Sequence, residues 1–141
     1  MRVESNGRAG MRVPVGLVVG LVRAVWAIFD EVASASPAEL RKGPRGGGRE
    51  RDGIVRHVLG ADAAYLRRLA QTFSQDDEAP LDDELRRTRE AIRAALAAGV
   101  RGEIPSEGPR GGALWTPHYF VRRVAWHVLE HAWEMQDRAE S

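Results

Sequence analysis

The chain contains no cysteine. Disulfides, thiolate metal ligands and cysteine nucleophiles are therefore excluded, and any thiol chemistry needs a thiol supplied from outside. Lysine is nearly missing as well: twenty of the 21 basic residues are arginine, and Lys42 is the exception. Charge of one sign is also lacking. The net charge is +1, so no strong overall field recruits nucleic acid or anionic lipid. The arginine pairs Arg67-Arg68, Arg86-Arg87 and Arg122-Arg123 are scattered and offset by acids, so no nucleic-acid partner is expected. No apolar run approaches the length of a membrane span, and no membrane partner is expected either. Arg2, Arg8 and Arg12 ahead of the apolar run Val13–Val22, with small residues in VASAS, have the outline of a secretory signal. Arg23 follows that run at once, however, and Asp30 and Glu31 precede any cleavage site, so the expected location is the cytoplasm.

What the chain does contain is the composition of an ordinary globular domain: 141 residues, 43% hydrophobic and 29% charged. The polar, aperiodic residues 1–12 are expected to form a flexible leader, and residues 13–141 a single domain. Apolar residues recur at three and four positions, the helical period, in four segments. The first runs from Pro14 to about Ser34, with Val18, Leu21, Val22, Val25, Phe29 and Val32 as its stripe. Ser36-Pro37-Ala38-Glu39 has the form of a capping box, and a short helical piece is expected there. The second helix spans about Asp52 to Ala70 on Ile54, Val58, Ala61, Tyr65 and Leu69. The third spans Leu81 to Ala98 with Gly99 as its stop, and the fourth is capped by Thr116-Pro117 and continues to about Arg138. Alternating patterns are almost absent. The expected fold is all-α, an antiparallel four-helix bundle with a long crossover over Gln71–Pro80.

GPRGG occurs twice, at Gly43–Gly47 and Gly108–Gly112, and each copy is followed by a segment carrying HVL, at His57–Leu59 and His127–Leu129. This reads as two helical hairpins related by an approximate twofold, with the second and fourth helices as equivalents.

His127 and His131 are four apart and stack on one helix face with Phe120, Val124, Val128 and Met135. His57 shares a face with Ile54, Ala61 and Tyr65. Three imidazoles in one interior are costly unless satisfied, and a single divalent ion satisfies all three. Three neutral histidines without a fourth protein ligand describe an open metal site, in which water, a thiolate or a carboxylate fills the remaining position.

The segments RDGIVRHVLGADAAYLRRL (Arg51–Leu69) and VRRVAWHVLEHAWEMQDR (Val121–Arg138) resemble the two signature helices of the DinB-like superfamily. That group includes damage-inducible DinB-type proteins, the metal-binding domain of mycothiol-dependent maleylpyruvate isomerase, and low-molecular-weight thiol transferases. The resemblance implies a bundle of up-down-down-up connectivity and a divalent metal, zinc or nickel, on His57, His127 and His131. The implied activity is metal-dependent transfer of a small cellular thiol to an electrophilic small molecule, or a related isomerisation or hydrolysis. The alternative is a non-catalytic, metal-stabilised stress or interaction module.

Around this centre, Glu134 lies on the histidine face and is a candidate to orient a ligand or act as a base, as against a surface glutamate. Arg45 and Arg110, flanked by glycines, are candidate anion contacts for a cofactor or substrate tail, as against residues of plain connecting loops. Tyr65 and Trp126 are candidates to line a pocket at the centre, as against plain core packing, and Trp115 and Trp133 are read the same way. His118 is expected to be exposed, and Asp62 to be a partly exposed aspartate or an acceptor behind the metal ligands. Apolar residues off the main stripe of the first helix, Val19 and Ile28, suggest a homodimer.

Overall fold

The structure is a computed structural model that describes residues 14–43 and 48–140. The expected leader and Arg45 lie outside the described residues. Four helices form: α1 (Val15–Ala35), α2 (Arg51–Arg67), α3 (Leu81–Val100) and α4 (Pro117–Ala139). Among the described residues there is no strand, only an isolated antiparallel bridge between Glu107 and Ala113. The all-α four-helix bundle expected from the periodicity is the observed fold.

Each helix packs against two others. α1 lies against α4 and α3, and α2 against α3 and α4, so neighbours in sequence sit diagonally or across the crossover. Their directions follow from who meets whom. His57 near the start of α2 meets His131, and Tyr65 near its end meets Arg123, so α2 and α4 are antiparallel. Arg56 donates to the carbonyl of Ala79 just before α3 begins, and the side chain of Gln75 returns a bond to the carbonyl of Arg56; α2 and α3 therefore start together and run parallel. Asp30 pairs with Arg89 while Ala33 and Ser34 share a groove with Leu81 and Asp82, which makes α1 and α3 antiparallel. Leu21 shares a groove with Arg122, and the backbone N–H of Arg41 donates to the carbonyl of Arg138, so α1 and α4 are parallel. The order is up-down-down-up.

The core is filled by Val22, Val25 and Phe29 of α1, Ile54, Leu59 and Leu66 of α2, Ile92 and Leu96 of α3, and Phe120, Val124, Val128 and Met135 of α4. Burial of these apolar side chains is the dominant stabilising term, about 1.5–3 kcal/mol for each large one. Leu21, assigned to the core stripe of α1, is instead 48% exposed on its rim.

Local chemistry sets the helix ends. The Thr116 hydroxyl accepts from the backbone N–H of Tyr119, and Pro117 opens α4, as the sequence indicates. The helical piece after Ser36 does not form: the Ser36 hydroxyl donates back to the carbonyl of Val32, finishing α1 rather than capping a new helix. Gly99 does not stop α3. A Cβ there would come within 2.9 Å of Pro117, so this glycine permits close approach, and the left-handed residue that ends the helix is Gly102 (φ 73°). The second GPRGG forms a tight turn in which Gly108 donates to the carbonyl of Gly112, with Gly111 at φ 82°.

Six of the seven large hydrophobic side chains exposed among the described residues lie on α1 or α4: Leu17, Leu21, Ile28, Tyr119, Trp126 and Trp133. Trp126 and Trp133, read from the sequence as pocket or core side chains, are 61% and 53% exposed and meet edge to face at 6.5 Å. They point outward because Val124, Val128 and Met135 already occupy the inward face of α4.

Candidate metal centre

The antiparallel contact of α2 with α4 brings His57 onto the stacked pair on α4. The three rings form a triangle, with centroids 5.2 Å apart for His57–His127, 4.7 Å for His57–His131 and 4.5 Å for His127–His131. One nitrogen from each ring lies within 4.8 Å of the others, so the cluster is able to hold a metal ion. The Nε2 atoms of His127 and His131 are 3.1 Å apart, close to the ~3.3 Å that two imidazoles on one tetrahedral zinc require. All three rings are half-buried, so the centre sits on the flank of the bundle where solvent reaches it. No other histidine or carboxylate joins the group among the described residues.

Behind His131 stands a built second layer. Its Nδ1 lies 2.7 Å from Oε1 of Glu134, whose Oε2 takes a bond of 2.9 Å from Arg138. A carboxylate on Nδ1 holds the proton there and leaves the Nε2 lone pair directed toward the other rings, the tautomer a metal ligand needs. Arg138 also donates to the carbonyls of Arg41 and Arg49, so it ties the α1–α2 connection to the end of α4. Its approach requires a glycine at position 48, where φ is 122° and a Cβ would lie 2.7 Å from the guanidinium. With one oxygen on His131 and the other on Arg138, Glu134 is placed to orient His131. Nδ1 of His127, by contrast, is buried with no partner.

Burial favours the neutral form of His57 and His127. Burial, followed by the charges of Arg49 and His131, holds His57 below the ordinary imidazole range. Burial first, then the neighbouring rings and Arg123, pushes His127 down to about 4. Burial works to raise the Glu134 carboxyl, but the bonds from His131 and Arg138 outweigh it and the group is lowered. Neutral imidazoles beside a carboxylate form a donor set suited to a divalent ion.

The other candidates fall elsewhere. Arg110 is exposed at the tip of the GPRGG turn, with no contact to the histidines among the described residues. His118 is half-buried rather than exposed and lies outside the cluster. Asp62 is neither a surface aspartate nor an acceptor for histidine: it is buried at 1% exposure in the core, its Oδ1 has no partner, and burial pushes its carboxyl up to about 8. Tyr65 and Trp115 pack against the core and also lie beside the centre. The Tyr65 ring meets His127 edge-on at 6.0 Å and Trp115 at 5.3 Å. Arg138 was not singled out from the sequence, although its position four residues after Glu134 on one helix was the available signal.

Comparison with known protein families, with curated proteins and with solved structures finds no match to this chain.

Proposed function

We propose that the protein is a metal-dependent enzyme of the DinB-like type, acting on a small electrophilic molecule with a low-molecular-weight thiol or water. One observation carries this reading. Three histidines from two helices converge, one is held by a carboxylate, and the chain offers no fourth ligand among the described residues. A zinc or nickel ion bound there supplies Lewis-acid activation of a thiol or water. The chain's own residues do the rest. Glu134 and Arg138 hold His131 in its ligand tautomer, Tyr65 walls one side of His127, and burial favours the neutral form of His57 and His127. Because cysteine is absent, a thiol nucleophile comes from the separate low-molecular-weight thiol.

The test is metal analysis of protein stripped of metal and then reloaded, beside His57→Ala and His131→Ala. One equivalent of zinc or nickel in the parent and little in either variant is expected. A stoichiometry near zero in the parent sinks the reading.

The exposed face of α1 and α4 supports a second copy of the chain as partner. Leu21, Tyr119 and Trp126 line one groove of about 540 Å³ there, and Trp133 continues it. Six side chains at 39–68% exposure present an area on the order of 600 Å². That lies at the upper end of the ~300–600 Å² apolar patch a typical monomer shows and approaches the ~800 Å² per partner of a stable interface.

A further inference from the structure

Next to the histidines, a row of side chains leads outward along the contact of α2 with α4. Tyr65 meets His127, Trp115 packs on Tyr65, and two guanidinium groups lie on these rings. Arg123 sits 5.6 Å from the centre of Tyr65 and 5.9 Å from that of Trp115, with Nη2 3.5 Å from the Tyr65 hydroxyl; Arg68 sits 5.5 Å from Trp115. The platform is anchored by the backbone, since the N–H of Trp115 donates to the carbonyl of Arg68 at 3.0 Å, joining the end of α2 to the approach to α4. Both arginines are exposed, and neither is ion-paired with a carboxylate among the described residues. Other arginines, Arg122 among them, share that lack of an acid; Arg68 and Arg123 are set apart by their place on the Tyr65 and Trp115 rings beside His127.

We propose that Arg123 and Arg68, stacked on Tyr65 and Trp115, form an anion subsite that takes the carboxylate of a small molecule whose other end reaches the three histidines. The inference rests on the proposed function and narrows its substrate to an anionic one. The physical grounds are direct. A guanidinium held against an aromatic face loses little freedom on binding and keeps its N–H fork for a carboxylate. The ring faces accept the hydrocarbon between the two ends. The arrangement also differs from the glycine-flanked arginines as an anion contact: Arg110 lies on a turn tip, whereas Arg123 is one helical turn before His127.

The experiment uses the full chain loaded with cobalt(II), whose absorption reports a thiolate entering the centre. The protein is titrated with 3-mercaptopropionate and, separately, with its uncharged methyl ester. In the parent the acid is expected to bind at least about tenfold more tightly than the ester at low ionic strength, with the preference shrinking in salt. Arg123→Gln and Arg68→Gln are each expected to cut that preference to within about threefold, the loss falling on the acid more than on the ester. Both side chains are exposed, so the variants keep the fold, which circular dichroism verifies. Equal affinity for acid and ester in the parent, or a preference that survives in both variants, overturns the subsite while the metal centre stands. Failure to take up cobalt at all overturns the proposed function and the subsite together.

Discussion

His131 is gripped from behind by Glu134: Nδ1 to Oε1 is 2.7 Å, and the second oxygen of the same carboxylate is held by Arg138 at 2.9 Å. The pair is three residues apart on α4, so a single helix turn fixes both the tautomer and the aim of the ring. Orientation of a ligand by a neighbouring carboxylate changes affinity without changing the ligand count, and this gives the first expectation. Glu134→Gln, which keeps the shape and loses the charge, should weaken zinc binding roughly 10- to 100-fold. Competition against a chromogenic chelator measures it. An unchanged affinity would show that the carboxylate is idle.

Asp62 sets a pH dependence of the opposite sense to that of a paired carboxylate. Its folded-state value of about 8 lies above the ordinary 3.8, so between these limits the unfolded chain holds fewer protons than the folded one. Stability contributed by the protonated acid is full below about pH 3.8, is lost as pH rises, and levels off above about 8. Asp62→Asn should therefore be more stable than the parent by a few kcal/mol at pH 8, with the advantage vanishing toward pH 4 (about 1.4 kcal/mol per pH unit at the steepest). Urea unfolding of the two proteins across that range decides it; parallel curves would contradict the burial argument.

Ala70 occupies the left-handed region at φ 62°, where the N–H of Ala70 donates to the carbonyl of Arg67 and that of Gln71 to Leu66. These two bonds close α2 in the motif that normally carries glycine at this position. Ala70→Gly relieves the Cβ strain and should stabilise by roughly 0.5–1 kcal/mol, a rise of a few degrees in Tm. A lower Tm in thermal scans would refute it.

Trp126 and Trp133 carry the prediction on assembly. Sedimentation of the parent at tens of micromolar should give twice the 15.6 kDa mass of one chain. Trp126→Glu combined with Trp133→Glu should return the single-chain mass without loss of helix, since both side chains face solvent. A monomeric parent removes the second copy as partner.

The helical period of the apolar residues determined the four helices by itself. Thr116-Pro117 marked the start of the last one to the residue, because periodicity and capping are properties of neighbours along the chain. His127 and His131 were legible for the same reason, being one turn apart. Local pattern could not tell which arc of each helix would be covered. Leu21 and Trp126 have the apolar character of core residues, yet they lie outside, and Asp62 lies inside. Nor could it show Gly99 as a point of close approach to Pro117, or Arg138 as the tie between Glu134 and the α1–α2 connection. Burial and approach depend on how all four helices pack around a common core, which is a relation between segments distant in sequence. The sequence alone determined the three candidate histidines and the helices that carry them. Only the tertiary structure decided that α2 runs against α4 in the register that sets His57 beside His131, and that Glu134 and Arg123 stand on either side of the rings.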